Sequence, residues 1–318
     1  MRAWCAAALF FLVCSGELAA AGRIDLISDI NGRYGSVGYH SRVGDAVAAI
    51  TASPPHAVIS TGDMIAGQRQ PKLDAAWLDR MWEEFTATVL QPLSASGIPF
   101  LVTPGNHDGS ALPGFELEQA RFQHYWLHRN SGFELIPGSE WPRRYAARIG
   151  DLLVVSFDGT RPGRLPADER AFVERMLSQH SADAPFTLVI SHLPLWPLAR
   201  GREKDVLADG ELLALLHRHG VDVYASGHHH VFYAGLDEAG LVHVSVGALG
   251  GNARSFSGRQ QRQPFSMARI EWRGERLEVS AFSAPSFAEK IETADLPEQI
   301  DGPLGTLKRL QGPAALRP

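Results

Sequence analysis

The sequence IPFLVTPGNHD, residues 98–108, joins a short apolar run to a group of polar residues. The run 98–103 predicts a buried strand, because it is brief, apolar and bounded by glycine and proline. Asn106, His107 and Asp108 then follow the carboxyl end of that strand. Ligands of parallel α/β sheets bind at this edge, so the stretch predicts both a sheet and a site.

The same arrangement recurs along the chain. Apolar runs at 23–28, 57–61, 186–190 and 221–226 also predict buried strands. Each run ends at side chains that can bind a metal ion, namely Asp29 and Asn31, Asp63, His192, and the triplet His228, His229 and His230.

The segments between these strands show helical spacing. Helices are predicted at 43–50, 73–93, 167–179 and 209–219. Strand and helix alternate in the first half, which predicts βαβ units around a largely parallel sheet. Later pairs, 144–149 with 152–157 and 267–272 with 277–282, flank turn residues and predict antiparallel hairpins. The sequence therefore predicts an α/β fold in a single domain.

The first residues differ from the rest of the chain. Arg2 is followed by the apolar run WCAAALFFLVC at 4–14, and an Ala-rich site precedes Gly22. This pattern is typical of a signal peptide at 1–21 and predicts export to the periplasm or the medium. The alternative is a membrane anchor, but the run falls short of the roughly 20 residues that span a bilayer. No transmembrane anchor is expected after cleavage.

Cleavage would also remove both cysteines, Cys5 and Cys14, so the mature chain would have neither a disulfide nor a thiolate metal ligand. We predict a catalytic domain at 22–285. Residues 286–318 are richer in proline, glycine and charge, and predict a partly loose C-terminal extension. The formal net charge of -5 does not imply a general nucleic-acid-binding surface.

Carboxylate, amide and imidazole donors at strand ends suit Mn, Fe or Zn. Single motifs are weak signals, since Gly62-Asp63 alone is more often a turn than a ligand. In an extended segment His228 and His230 would point to one side and His229 away from it. Asn106 with His107 and Asp108, in order with the other motifs, is much harder to explain structurally.

Together the motifs resemble the calcineurin-like metallophosphoesterase family, in the family's order and over roughly residues 23–251. The segments that carry the resemblance are DIN at 29–31, GD at 62–63, GNHD at 105–108, SH at 191–192 and GHHH at 227–230. The resemblance implies a two-sheet β-sandwich flanked by helices, in four α/β/β/α layers. It also implies hydrolysis of small phosphorylated substrates, monoesters or diesters, by a hydroxide that two divalent ions activate.

The resemblance further implies a role for each motif. Asp29 and His230 would hold the first metal, Asp63 would bridge both, and the second would be held by Asn106, His192 and His228. His107 would stand beside the substrate oxygens as the catalytic group, with Asp108 orienting it.

One position departs from the family pattern. The family usually has histidine where this chain has Asn31. An amide oxygen is a harder and weaker donor, so either the first site favours Mn over Zn, or Asn31 does not bind metal and water replaces it. The motif at 62–66 also lacks the tyrosine ligand of purple acid phosphatases, so no charge-transfer colour is expected.

Arg33, Tyr34 and His40 follow the first motif in a Gly-rich loop and are candidate substrate contacts. Arg200 and Arg202 could favour anionic substrates, although a solvated surface is the more common role for such residues.

Two other function classes compete with this interpretation. A metallo-β-lactamase-type hydrolase would need an early HxHxDH run, whereas the histidine triplet here comes late and is followed by Val231 and Phe232. A degenerate, non-catalytic protein that binds phosphate ligands on the same fold has one supporting feature, Asn31.

Overall fold

The computed structural model describes residues 21–129 and 132–316. The predicted signal peptide, apart from its last residue Ala21, lies outside this range. In the described part of the chain, no helix has the length and apolar character needed to cross a membrane.

One sheet carries the first three motif loops. Its central strands β1, β2 and β3 are parallel, and β11 joins β1 in antiparallel register. The spatial order is β13-β12-β11-β1-β2-β3, with β16 beside β12. The strands are β1 (Ala21–Ile27), β2 (Ala57–Ser60), β3 (Phe100–Val102), β11 (Ser266–Arg273), β12 (Arg276–Ser283), β13 (Glu289–Lys290) and β16 (Ala314–Ala315).

The other sheet carries the remaining motif loops. Its strands β6, β7, β8 and β10 are parallel neighbours, and hairpins extend both edges. The spatial order is β14-β15-β9-β10-β8-β7-β6-β5-β4. The strands are β4 (Glu134–Leu135), β5 (Tyr145–Ile149), β6 (Leu152–Ser156), β7 (Phe186–Ile190), β8 (Val223–Ser226), β9 (Tyr233–Leu236), β10 (Val242–Ser245), β14 (Gln299–Gly302) and β15 (Gly305–Arg309).

Helices cover the outer faces of both sheets. They are α1 (Ser41–Ala52), α2 (Ala75–Phe85), α3 (Gln91–Ala95), α4 (Glu116–Trp126), α5 (Ala167–His180) and α6 (Gly210–Arg218). A π-helical turn at Thr86–Leu90 joins α2 to α3, so the long helix predicted over 73–93 is one continuous body with a local widening.

Alternation along the strands explains the layers. In β1, Leu26 belongs to the core between the sheets, whereas its neighbour Ile27 packs on the other face with residues of α1 and α2. Residues of α5 and α6, such as Phe172 and Leu212, cover the outer face of the other sheet. The four-layer α/β/β/α prediction is therefore confirmed.

The C-terminal segment differs from the partly loose extension predicted for 286–318. β14 and β15 form a hairpin that pairs with β9, while β13 and β16 pair with β12. Ile300, Leu307 and Leu310 are buried in the core. The glycine and charge of this segment belong to a turn and to the exposed sides of edge strands, which composition alone does not distinguish from a loose tail.

Candidate metal centre

Loops that follow β1, β2, β3, β7 and β8 converge at one edge of the sandwich, because parallel strands end on the same side. Main-chain hydrogen bonds join these loops. The amide of Asp29 donates to the carbonyl of Gly62 at 3.1 Å, and that of Gly227 donates to the carbonyl of His192 at 2.9 Å. The distance between motifs is thus fixed by the backbone as well as by the side chains.

Four of the predicted ligands have a left-handed backbone. The φ angles are 48° at Asp29, 58° at Asp63, 63° at His228 and 55° at His230. Non-glycine residues seldom adopt this region, and it concentrates at functional sites. Each strand therefore ends in a sharp turn that directs the side chain into the site.

One cluster gathers a carboxylate, an amide and two imidazoles. Single donor atoms of Asp63, His192 and His228 all lie within 4.8 Å of one another. Nε2 of His192 lies 2.9 Å from Oδ1 of Asn106, 3.2 Å from Nδ1 of His228 and 3.5 Å from Oδ2 of Asp63. Asp63, His192 and His228 are buried, as is Asn106.

Hydrogen bonds orient these imidazoles. Nδ1 of His192 lies 2.8 Å from the carbonyl of Thr61, which can only accept, so Nδ1 donates to it and Nε2 is the nitrogen directed at the cluster. Nε2 of His228 faces the carboxylate of Asp205 at 3.6 Å, which leaves Nδ1 as the lone-pair nitrogen. Such outer partners are typical of metal-binding histidines.

A second pair lies beside this cluster. Oδ1 of Asp29 is buried, accepts no hydrogen bond in the described structure and lies 3.0 Å from Nε2 of His230. Nδ1 of His230 donates to the carbonyl of Asn252 at 2.8 Å. Nε2 of His230 therefore faces a carboxylate oxygen, and the two atoms are placed to bind one cation together.

In each of the two carboxylates, Asp29 and Asp63, one oxygen accepts hydrogen bonds from the protein and the other faces the cluster. Oδ2 of Asp29 accepts from the hydroxyl of Ser28 at 2.6 Å and from the amide of His228 at 2.9 Å. Oδ1 of Asp63 accepts from the amide of His107 at 2.8 Å. Carboxylate, amide and imidazole donors that converge on one point suit a bound cation, so the donor set fits divalent metal ions.

The electrostatics agree with this. Burial alone would raise the pKa of Asp29, but the adjacent His230 outweighs it and holds that pKa well below its ordinary range. Burial likewise opposes ionisation of Asp63, yet His192 and His107 lower its pKa. Both carboxylates are therefore charged at neutral pH in spite of complete burial, as a cation site requires.

His107 lies at the rim of the cluster. Its Nδ1 lies 3.1 Å from the carbonyl of Gly67 and therefore donates to it. Its Nε2 lies 3.8 Å from Oδ2 of Asp63. The ring is thus held so that Nε2 faces the site.

Asp108 does not have the predicted role of orienting His107. Its two carboxylate oxygens accept from the amides of Met64 and Gly105, so it ties the loop after β2 to the loop after β3. Asp108 is fully buried, and burial raises its pKa to about 7. The carbonyl of Gly67 holds His107 instead, because the chain turns within the motif and carries Asp108 beneath it.

His229 points away from the site, as predicted, but for a different reason. The triplet is not extended, since His228 and His230 both have a positive φ. The left-handed turns on either side direct the outer rings toward the site and the middle ring into the core. There Nδ1 of His229 accepts from the amides of Leu198 and Ala199 at 3.2 and 3.3 Å.

A cavity of about 500 Å³ opens over the cluster. Its wall includes Asn31 and the three candidate substrate contacts Arg33, Tyr34 and His40. Tyr34 is 57% exposed, and its ring centroid lies 4.8 Å from that of His107. His40 also caps α1 through Nδ1, which accepts from the amide of Arg42.

Other residues of the site carry no clear signal in the sequence. Oε1 of Gln68 accepts from Nδ2 of Asn106 at 2.9 Å, which directs Oδ1 of Asn106 toward His192. Arg42, Arg202 and Arg254 line the cavity, whereas Arg200 is exposed and does not. Of these three arginines, only Arg202 is predicted from the sequence, as a residue that could favour anionic substrates.

The site thus gathers metal-compatible donors at the strand ends of a two-sheet sandwich. The sequence profile of the calcineurin-like phosphoesterases matches residues 22–232, which is most of the described chain. The chain belongs to the calcineurin-like phosphoesterase family.

Individual relatives are distant. Purple acid phosphatase 18 of Arabidopsis thaliana is 26% identical over 202 residues, which cover 60% of this chain and 44% of that protein. Tartrate-resistant acid phosphatase type 5 of Sus scrofa is 26% identical over 185 residues, or 54% of this chain and 52% of that protein. The chain thus spans about half the length of the curated relatives it matches.

Among solved structures, purple acid phosphatase PPD1 from yellow lupin (Lupinus luteus) superposes with a TM-score of 0.64. The match has 15% identity and covers 83% of this chain and 52% of that one. It shows that the two proteins share the fold.

Proposed function

We propose that this chain hydrolyses phosphate esters at a site that binds two divalent metal ions. The observation that carries the proposal is the convergence of carboxylate, amide and imidazole donor atoms on one edge of the sandwich. Asp63, His192 and His228 share one point, and Asp29 with His230 lies beside it under the same cavity.

Each candidate ligand has a place in this arrangement. We propose that Asp29 and His230 hold one ion, that Asn106, His192 and His228 hold the other, and that Asp63 lies between them. Bound divalent ions would neutralise phosphoryl charge and lower the pKa of water.

The chain's own residues supply the rest of the chemistry. Because Nδ1 of His107 donates to the carbonyl of Gly67, Nε2 is the only nitrogen that can exchange a proton with substrate. The imidazolium form would donate from Nε2 to the leaving oxygen or to a charged phosphoryl oxygen. Tyr34 packs against the same ring and limits its rotation.

Asn31 bears on the choice of metal. Its amide donates to the carbonyl of Asp63 at 3.2 Å, and its carbonyl accepts from the amide of Gly251 at 2.7 Å. Its backbone is therefore fixed beside the Asp29 site, whether or not the side chain binds metal. We propose that this site prefers Mn to Zn, because it offers oxygen in place of a further imidazole.

Two measurements test the proposal. Purified protein would be stripped of metal, reloaded with Mn, Fe or Zn, and assayed on an aryl phosphate, a diester and a pyrophosphate. We expect turnover that requires metal and that falls at least about a hundredfold in Asp63→Ala and in His107→Ala. Arg200→Ala, an exposed change outside the cavity, is the matched control.

Metal analysis separates the remaining possibilities. Asn31→His should increase zinc affinity at the Asp29 site, and two tightly bound zinc ions in the wild type would contradict the proposed preference. Metal binding without turnover on any of these substrates would favour the alternative, a phosphate-ligand-binding protein of the same fold.

A further inference from the structure

The cavity wall is strongly positive. Arg33, Arg42, Arg202 and Arg254 all line it. The four guanidinium groups are not equivalent, because their partners differ, and the partners show which of them is available to a ligand.

Two of the four are already engaged. Arg42 donates to the carbonyls of Leu249 and Gly250 and lies 3.6 Å above the ring of Phe265. Arg202 pairs with Asp205 at 2.7 Å. These two arginines therefore support the wall of the cavity.

Arg254 is different. It is half-buried, and within the described part of the chain no carboxylate lies within ion-pair distance of it. Its Nε is buried without a hydrogen-bond partner in the same residues. Burial, and then the neighbouring charge of Arg202, lower its pKa, and the charges of Asp29 and Asp205 offset this only in part. An unpaired, partly buried cation is costly, and an anionic ligand would relieve that cost.

The backbone fixes Arg254 relative to the metal centre. The amide of Gly250 donates to the carbonyl of Asp29, and the carbonyl of Asn252 accepts from Nδ1 of His230. The carbonyl of Arg254 itself accepts from the amide of Gln263 at 2.7 Å. This loop meets His230 on the edge of the ring opposite Nε2, so the main chain that carries Arg254 is fixed on the outer side of that ring.

The size of the cavity also favours a ligand larger than a single phosphate group. About 500 Å³ is typical of a pocket for a whole small molecule, and is far more than one phosphate group requires. Exposed Arg33, which has no ion pair among the described residues, lines the same space.

We infer that the substrate is an organic molecule with a second phosphate-type group in addition to the one hydrolysed, and that Arg254 binds this second group. The inference rests on the proposed function for the position of the first phosphate. Guanidinium binds phosphate through two parallel hydrogen bonds, and the cavity has room for a second such group beside one held at the metal centre. Arg33 would contribute charge at the open side.

The test compares matched ligands on metal-loaded protein. A nucleoside monophosphate and the diphosphate of the same nucleoside would be assayed for KM, and a sugar bisphosphate would show whether the two groups must be adjacent. Dissociation constants for the monophosphate and for a non-hydrolysable methylene diphosphate analogue would be measured by calorimetry. The variants are Arg254→Ala, Arg254→Lys and the exposed control Arg200→Ala.

We expect wild type to prefer the doubly phosphorylated ligand, and Arg254→Ala to reduce that preference roughly ten- to a hundredfold. Arg254→Lys should restore part of it, since it keeps the charge but loses the planar fork. Arg200→Ala should leave the preference unchanged. Thermal melting would verify that each variant is folded.

Three results would overturn the inference. The first is a wild type that does not prefer the doubly phosphorylated ligand, and the second is an Arg254→Ala variant that keeps this preference. The third is an equal loss of affinity for both ligands in Arg254→Ala, which would place Arg254 on the cleaved phosphate. If no ligand is hydrolysed, the proposed function fails, but the dissociation constants still decide the role of Arg254.

Discussion

His229 should be a structural residue between two metal ligands, and replacing it should separate stability from metal binding. Its ring is fully buried. Nδ1 accepts from the amides of Leu198 and Ala199, and Nε2 donates to the carbonyl of Asp205 at 3.1 Å. The ring thus holds both ends of the loop at 198–205, whose Asp205 side chain faces His228.

The expected magnitude follows from these contacts. His229→Leu keeps a similar volume but removes three hydrogen bonds. At roughly 1 kcal/mol each, their loss costs about 3 kcal/mol, and backbone groups left buried without partners bring the cost toward about 6 kcal/mol. Since a domain is stable by only about 5–15 kcal/mol, the variant should lose a large share of its free energy of unfolding.

The assay combines urea unfolding of the metal-free protein with metal analysis of the reloaded protein. His229→Leu should shift the urea midpoint strongly downward, while its folded fraction still takes up metal. His228→Ala should have the opposite effects: the urea midpoint should change little, and the folded protein should bind less metal. A His229→Leu variant as stable as wild type, with metal binding abolished, would refute the assignment.

Three further predictions address the scaffold. A Cβ at position 105 would collide with the backbone and carboxylate of Asp63, so Gly105→Ala should lose metal, and a normal metal content in this variant would contradict the prediction. Gly44→Ala is the matched control: it lies in open space on α1 and should raise the free energy of unfolding by about 0.5–1 kcal/mol. Burial opposes ionisation of Asp237, but His243 and His217 outweigh burial and hold the pKa of Asp237 below its ordinary range. The stability that the ionised carboxylate adds should therefore be present above about pH 4 and be lost at lower pH. Parallel curves of stability against pH for wild type and Asp237→Asn would contradict this. The iron-loaded protein should lack a visible charge-transfer band, because the segment after β2 has no tyrosine, and a purple colour would disprove this.

Much of the fold follows from local pattern. The strands that end in motifs are short apolar runs, so β2 was predicted at 57–61 and is found at Ala57–Ser60. Helix α4 was not predicted, because its buried face mixes Glu118 with aromatic residues and shows no apolar stripe. The hairpin β14–β15 was missed because its place is set by pairing with β9, far away in sequence.

The residues of the candidate site also divide into those that local sequence pattern predicts and those that depend on distant contacts. Residues at strand ends were found because sheet topology brings them together without further information. Gln68 and Asp205 could not be found, since each lies in an irregular loop and faces its partner across more than twenty positions. Arg254 also lies in an irregular loop, and only the folded chain shows that it lines the cavity. Asp108 was assigned wrongly for the same reason, because its partner Met64 lies 44 residues away.

Side-chain type and side-chain direction therefore have separate origins in this centre. The sequence supplies imidazoles at the right strand ends, but a given ring nitrogen faces the centre only because another segment holds the opposite nitrogen. Thr61 does so for His192, Asn252 for His230 and Asp205 for His228. A chain with every motif but with these partners displaced would keep the family signature and lose the geometry that binds metal. Loops such as 198–205 and 249–254 thus both hold the proposed metal ligands and line the cavity above them, so changes in specificity and in metal affinity are expected to be coupled.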